Sequence, residues 1–143
     1  MARILNRIIA IGGTTAHQTP KSEAQVRADY ITGANVLSSV VAVDNGRVIG
    51  WQSVGLHDGE GHIGTFVNPD IQARGVGAEM FALTLQTVRK TGTTRLIATI
   101  RADNVPGLRY YARMGFADSA SEPDYALTDG RVVGRVHRRL DVV

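Results

Sequence analysis

The sequence contains no cysteine, and several other features are scarce. The absence of cysteine excludes disulfides, thiolate metal sites and a cysteine nucleophile. Aromatic residues make up only 6% of the chain, and no apolar run is long enough to cross a bilayer. The apolar stretch that follows Arg3 and Arg7 is also too short for the core of a signal peptide. We therefore expect a cytoplasmic protein that does not associate with membranes.

Lysine is scarce as well, because the chain has two lysines beside fourteen arginines, with a net charge of +3. Such a balance suits an anionic ligand. The arginines are scattered, and the densest group (Arg135, Arg138 and Arg139) fits a solvated strand face, so nucleic acid is not the favoured partner. A length of 143 residues with 43% hydrophobic content indicates one globular domain, residues 1–143.

Hydrophobic periodicity predicts a mixed α/β sheet. Three alternating segments are joined by turns, of which Asn45-Gly46 favours a tight hairpin. The pattern then changes to helical spacing. The predicted strands are 38–43, 48–56, 62–67 and 96–100, followed by a last hairpin of 125–127 with 132–140. The predicted helices are 21–31, 76–92 and 104–114. Residues 3–11 fit either a short helix or a strand, of which we favour the helix.

A glycine-rich turn, Gln72-Ala73-Arg74-Gly75-Val76-Gly77-Ala78, connects strand 62–67 to the helix that starts at Val76. The first turn of a helix has backbone N–H groups without partners, and the helix dipole is positive there. Glycine lets an anion approach this backbone, and Arg74 adds a charge that can bridge phosphate oxygens. The turn is therefore suited to a phosphate or pyrophosphate, although a strand-to-helix turn without a ligand fits the same pattern. Its glycine spacing excludes the P-loop and the nicotinamide fingerprint.

Two motifs together resemble those of the GNAT superfamily of N-acyltransferases. Gln72-x-x-Gly75-x-Gly77 is similar to the acetyl-CoA-binding motif of that superfamily. The second motif is similar to its Asn-x-x-(small)-x-x-x-Tyr-x-x-x-Gly-Phe helix and runs from Asn104 through Tyr111 to Phe116. The resemblance covers residues 36–140. The "VIGW" strand and the C-terminal "GRVVGRVHRRLDV" are most similar to the phosphinothricin (small amino acid) N-acetyltransferase branch.

The resemblance implies a mixed, mainly antiparallel sheet flanked by helices, with a shortened N-terminal region. It also implies an acetyl-CoA-dependent N-acetyltransferase that acts on a primary amine of a small molecule, an amino acid or an analogue, by direct attack in a ternary complex. The partners would then be acetyl-CoA and the amine, and we expect a homodimer. The alternatives are a protein or aminoacyl-tRNA acceptor, or a non-catalytic module that binds CoA or nucleic acid.

The same resemblance implies a role for each motif residue. The CoA pyrophosphate would lie on the backbone of residues 72–78, and Asn104 would contact the CoA arm. The backbone of Phe66 and Val67 would bind the pantetheine, with the Val67 N–H as oxyanion donor. Tyr111 would protonate the departing thiolate.

The general base is less directly indicated. In the phosphinothricin branch it is a glutamate at the start of the strand before the CoA loop, and alignment places His62 at that position. Histidine suits this role because its reference pKa lies near 6.5. A one-residue slip in the alignment would make Glu60 or Asp58 the base instead. The spacing of His, Asp and Glu does not suggest a metal site.

Overall fold

A computed structural model describes residues 1–15, 17–71 and 75–142 of the chain. Its helices are α1 (Ala2–Ile11), α2 (Glu23–Arg27), a π-helical turn (Ala28–Thr32), α3 (Val76–Arg89) and α4 (Val105–Arg113). Its strands are β1 (Val36–Asp44), β2 (Arg47–His57), β3 (Glu60–Val67), β4 (Arg95–Arg101), β5 (Ala117–Glu122) and β6 (Arg135–Asp141). Within the described ranges, no helix has the length and apolar character needed to cross a membrane.

The strands form one six-stranded sheet in the order β1-β2-β3-β4-β6-β5. Every neighbouring pair is antiparallel except β3 and β4, which run parallel. The turn between β1 and β2 has Asn45 at φ 48° and Gly46 at φ 74°, as a tight hairpin requires. The predicted mixed, mainly antiparallel sheet flanked by helices is confirmed.

The predicted last hairpin was wrong in its first strand. The partner of β6 is β5, with Ala117 opposite Arg139 and Glu122 opposite Arg135. Segment 125–127 instead makes one isolated bridge, between Ala126 and Val132. The sequence of β5, ADSASE, contains no β-branched or aromatic residue and every position in it is exposed, so it lacks the composition by which strands are recognised. Its pairing comes from the neighbouring strand and not from a buried face.

Helices cover both faces of the sheet, and successive strand residues face opposite sides. The α3 side is covered by α3 and α4 and holds a core that includes Val54, Ile63 and Leu96. The α1 side is covered by α1 and α2, which pack around the fully buried Trp51. Residues of β3 therefore face the two clusters alternately, with Ile63 in the cluster on the α3 side and Phe66 packed against the cluster on the α1 side.

The helical segment before β1 begins as its sequence predicts and ends differently. Ser22 Oγ accepts a hydrogen bond from the Gln25 N–H at 3.1 Å, and Gln25 Oε1 accepts one from the Ser22 N–H at 2.8 Å. This reciprocal pair is a capping box. From Ala28 the helix widens into the π-helical turn, a local irregularity often found next to functional sites.

Candidate active site

The β3–β4 ladder ends part-way along both strands. Pairing covers Gly61, His62 and Ile63 opposite Leu96, Ile97 and Ala98. Past these pairs, β3 continues to pair with β2, and β4 with β6. The inner edges of the two strands thus form an open notch in the middle of the sheet.

Backbone donors of β3 point into this notch. The Asn68 N–H donates to Ile49 O of β2 at 2.7 Å. Because backbone direction alternates along a strand, Phe66 also directs its N–H to β2, whereas Thr65 and Val67 direct theirs to the notch. The predicted oxyanion donor, the Val67 N–H, therefore faces the notch, and Phe66 presents its side chain there instead.

A cavity of about 1280 Å³ occupies the notch. This volume exceeds the usual range of about 300–1,000 Å³ for a ligand pocket. The described residues that line it come mainly from β3, the end of β4, the start of α3, α4, the segment after α1 and the π-helical turn. They include Thr14, His17, Tyr30, His62, Thr65, Phe66, Val67, Gly75, Gly77, Ala78, Thr99, Asn104, Tyr110 and Tyr111.

The start of α3 borders the cavity without a side-chain cap. Its N-cap is Gly75, at φ 82°, which has no side chain to accept the first N–H groups of the helix. Those groups at Val76, Gly77 and Ala78 are therefore suited to bind an anion. The other predicted residues of this turn, Gln72, Ala73 and Arg74, lie outside the described residues.

Gly77 has a packing role in addition to its predicted role in ligand binding. A Cβ atom added at Gly77 would lie 2.6 Å from Cε2 of Tyr110. The Tyr110 hydroxyl donates a hydrogen bond to Gly77 O at 2.8 Å. A glycine is therefore required at this position for α4 to pack against the start of α3.

A chain of hydrogen bonds connects the start of α3 to Tyr111. Gln52 is fully buried, and its Nε2 donates both to the Tyr110 hydroxyl and to Thr65 Oγ1, each at 2.9 Å. Thr65 Oγ1 lies 2.9 Å from the Tyr111 hydroxyl. Sequence reasoning missed Gln52 and Thr65, although a glutamine within an apolar strand such as β2 was a signal of a buried polar contact.

Tyr111 lies at the base of the cavity with its ring in the core. The residue is 7% exposed, and its ring packs edge-on against Phe116 with the centroids 5.1 Å apart. Burial raises the pKa of the Tyr111 hydroxyl. The hydroxyl is therefore protonated at neutral pH, as a proton donor must be.

Asn104 caps α4 and also fastens the segment after α1. Its Oδ1 accepts a hydrogen bond from the Gly107 N–H at 3.0 Å, and its Nδ2 donates to Thr14 O at 3.2 Å. The buried Arg101 donates to Thr15 O at 3.2 Å and pairs with Asp103 at 2.8 Å. Segment 12–15 is thereby fixed along one rim of the cavity.

Of the three candidate bases, His62 is the one that lines the cavity. Its ring lies 5.3 Å from that of His57. Burial and the nearby His57 lower the pKa of His62 below its ordinary value of 6.5. His62 is therefore neutral at neutral pH and able to accept a proton. Glu60 pairs with Arg95 at 3.0 Å, and Asp58 lies in the tight turn before β3 with φ 51°.

An aromatic wall closes the α1 side of the cavity. Phe66 stacks on Trp51 with the centroids 4.7 Å apart, and Tyr30 meets Phe66 edge-on at 5.4 Å. The Tyr30 hydroxyl is 2.9 Å from Nε2 of His17. Burial raises the pKa of Tyr30 to about 12 and lowers that of His17. Sequence reasoning did not single out Tyr30, which lies in the π-helical turn.

The chain matches the model of the "Acetyltransferase (GNAT) family" over residues 9–116. It is 29% identical over 119 residues to a mycothiol acetyltransferase from Actinosynnema mirum, covering 81% of this chain and 38% of that protein. It is also 29% identical over 98 residues to the L-amino acid N-acyltransferase MnaT from Escherichia coli (strain K12), covering 64% of this chain and 57% of MnaT. In both cases the chain spans less than two thirds of the relative.

One similar solved structure is a phosphinothricin acetyltransferase of the GNAT superfamily from Sinorhizobium meliloti in complex with acetyl-CoA. The TM-score is 0.85 with 21% sequence identity, over 99% of this chain and 80% of that one. At this level of identity the likeness shows the fold. That structure was solved with acetyl-CoA bound.

Proposed function

The chain belongs to the acetyltransferase (GNAT) family, and from that premise we propose that it transfers an acetyl group from acetyl-CoA to the primary amine of a small molecule. The observation that carries the proposal is the open notch between β3 and β4. It brings backbone donors, the uncapped start of α3 and His62 to one cavity. Its volume of about 1280 Å³ suits a ternary complex.

Backbone groups of the chain would hold acetyl-CoA. The first-turn N–H groups of α3, from Val76 to Ala78, would bind the pyrophosphate, with Gln72, Ala73 and Arg74 completing the turn. The N–H groups of Thr65 and Val67 that face the notch would bind the pantetheine, which would take the hydrogen-bonding place of a neighbouring strand. Asn104 stands on the opposite side of the notch, where its amide can contact the same arm.

Chemistry would occur where the backbone of Val67 faces the cavity. The amine nitrogen attacks the thioester carbonyl directly, and the chain has no cysteine to form a covalent intermediate. The Val67 N–H donates to the carbonyl oxygen as negative charge develops there, an interaction worth about 3 kcal/mol where such donors have been removed. Tyr111 donates its hydroxyl proton to the departing thiolate, and because burial raises the pKa of this hydroxyl, the group is protonated before the reaction.

His62 would make the amine reactive. An alkyl amine has a reference pKa near 10 and is mostly protonated at neutral pH, and only the free base attacks. His62 lines the cavity and its pKa is lowered by burial. It can therefore accept the proton directly or through a water molecule.

The aromatic wall favours a small acceptor. Phe66, Tyr30 and His17 leave an apolar surface beside His62, where the side chain of an amino acid would fit. The similarity to the L-amino acid N-acyltransferase MnaT supports this class of acceptor. We accordingly place the L-amino acids first among the acceptors.

The test is an acceptor screen with acetyl-CoA that measures the free thiol released. The assay suits this protein because the chain has no cysteine to react with the thiol reagent. The panel contains L-amino acids other than cysteine, their analogues, polyamines and a peptide with a free N-terminus. We expect the fastest release with an L-amino acid. If thiol is released only with the peptide, the acceptor is a protein N-terminus and not a small molecule. If no acceptor of the panel gives thiol release, the proposed function is contradicted.

A further inference from the structure

A hydrogen-bonded group of Thr99, His137 and Glu122 lies on the α1 side of the sheet and has no part in the mechanism above. Thr99 Oγ1 is 2.8 Å from Nδ1 of His137, and Nε2 of His137 is 2.8 Å from Oε2 of Glu122. The three residues stand on adjacent strands, β4, β6 and β5, with Thr99 opposite His137 in the ladder.

The chemistry of the three groups fixes the direction of these hydrogen bonds. Arg135 also binds Oε2 of Glu122 at 2.8 Å, and the hydrogen bonds from His137 and Arg135 lower the pKa of Glu122. Glu122 is therefore an ionised acceptor, which requires a proton on Nε2 of His137. In neutral His137, Nδ1 is then an acceptor, so the Thr99 hydroxyl donates to it.

When it donates to His137, Thr99 Oγ1 can still accept a hydrogen bond, and Thr99 lines the cavity. Thr99 comes one residue after Ala98, the last β4 residue that pairs with β3. It lies on the same side of the sheet as His62, because the His62 partner in β4 is Ile97, two residues earlier. A protonated amine near His62 therefore lies on the side of the sheet where Thr99 Oγ1 can accept its proton.

We propose that Thr99, His137 and Glu122 form a second proton acceptor for the amine, separate from His62. The inference depends on the proposed acetyl transfer. The ammonium proton passes, directly or through water, to Thr99 Oγ1 while the hydroxyl proton of Thr99 passes to Nδ1 of His137. His137 becomes an imidazolium whose Nε2–H is held by the Glu122 carboxylate, and the amine is left as the free base. The step moves only protons, because the ammonium loses one proton and His137 gains one. The imidazolium later loses its proton to solvent.

The charges around His137 agree with a site that takes up one proton. Glu122 and Arg135 offset each other in charge, and the Arg135 guanidinium lies 3.9 Å from the centre of the Tyr125 ring. A positive charge on His137 is one of the smaller contributions that lower the pKa of His62, after burial and His57. The charged and titratable groups on this side of the neighbouring strands are Arg135, Arg139 and Asp141 of β6, Glu122 of β5, Arg95 and Arg101 of β4, and Glu60 and His62 of β3.

The test measures kcat/KM against pH with acetyl-CoA and the fastest acceptor of the panel. Thr99→Val removes the hydroxyl and keeps the shape, and Thr99→Ser restores a hydroxyl. Ser119→Ala is the matched control, since Ser119 Oγ donates only to the backbone oxygen of His137, at 3.0 Å. Each change is made in wild type and in His62→Gln.

In His62→Gln, we expect Thr99→Val to lower kcat/KM at least tenfold and to flatten its acidic limb. We expect Thr99→Ser and Ser119→Ala to stay within twofold. His137→Gln should reproduce the loss, with the KM for acetyl-CoA unchanged throughout. A change below twofold for Thr99→Val in His62→Gln, or an equal loss in Ser119→Ala, would overturn the relay while the proposed function stands. A wild type that acetylates no amine would overturn both.

Discussion

The two sides of the sheet contribute different kinds of groups to one cavity. On the α3 side, the groups that face the notch are mainly backbone N–H groups, supported by the buried hydrogen bonds of Gln52 and Thr65. On the α1 side they are side chains, including His17, Tyr30 and His62. Backbone geometry is set by the fold, whereas side chains change with single substitutions. We therefore expect the α3 side to serve the constant substrate and the α1 side to serve the acceptor.

The largest expected effect is that of Tyr111→Phe, on the α3 side. Loss of the hydroxyl removes the proposed acid for the thiolate, and a group of this kind contributes a factor of roughly 10–1000 to kcat. The Kd for acetyl-CoA and the preference among acceptors should not change. Steady-state kinetics with two acceptors, together with calorimetric titration of acetyl-CoA, check this. An unchanged kcat would leave Tyr111 with a packing role alone.

Ala78→Glu should weaken acetyl-CoA binding by roughly 30-fold, about 2 kcal/mol, because it places a like charge beside the pyrophosphate. Ala78 is exposed and lies in the first turn of α3. A carboxylate there interacts favourably with the positive end of the helix dipole, so the melting temperature should not fall. Ala78→Gln is the matched neutral control. Equal Kd values for the two variants would show that the start of α3 does not bind the pyrophosphate.

Gly77→Ala should destabilise the protein by about 1–3 kcal/mol without any ligand, because the new methyl group collides with the Tyr110 ring. A loss of stability measured without ligand would separate the packing role of Gly77 from its role in ligand binding. A double-mutant cycle with Tyr110→Ala, followed by urea unfolding, measures the coupling. Additive free energies of unfolding would mean that the two residues do not depend on each other.

The smallest expected effect is on the pH dependence of stability, on the α1 side. Burial lowers the pKa of His17 in the folded protein, so the unfolded chain binds more protons as the pH falls through 6.5. The free energy of unfolding should therefore decrease below pH 6.5, with a slope of at most about one proton per buried histidine. His17→Gln should reduce this slope in urea unfolding between pH 5 and pH 7.5. An identical slope in the variant would exclude His17 as its source.

The sequence predicted the α3 side better than the α1 side, for physical reasons. Strands with one buried face alternate in hydrophobicity, and the glycines near α3 are required by the local conformation of the backbone. The ranges of β1, β2 and β3 and the starts of α3 and α4 follow from such local patterns. The first motif ends in the first turn of α3, and the second spans α4.

The α1 side depends on contacts between distant parts of the chain. Thr99 meets His137 only because β4 and β6 pair in one register, and a shift of one residue would turn either side chain to the other face. Tyr30 reaches Phe66 through a π-helical turn that has no simple sequence signal. Glu122 lies in the strand that the sequence did not reveal.

The short β3–β4 ladder has a mechanical consequence. Among the described residues, three residue pairs join two half-sheets of three strands each, β1-β2-β3 and β4-β6-β5. A ligand that pairs with the inner edges of both strands extends this junction and acts as a missing piece of the sheet. Binding of such a ligand then adds RT ln(1 + [L]/Kd) to the free energy of unfolding of the domain. Acetyl-CoA bound as proposed would in this sense also be a structural element of the domain.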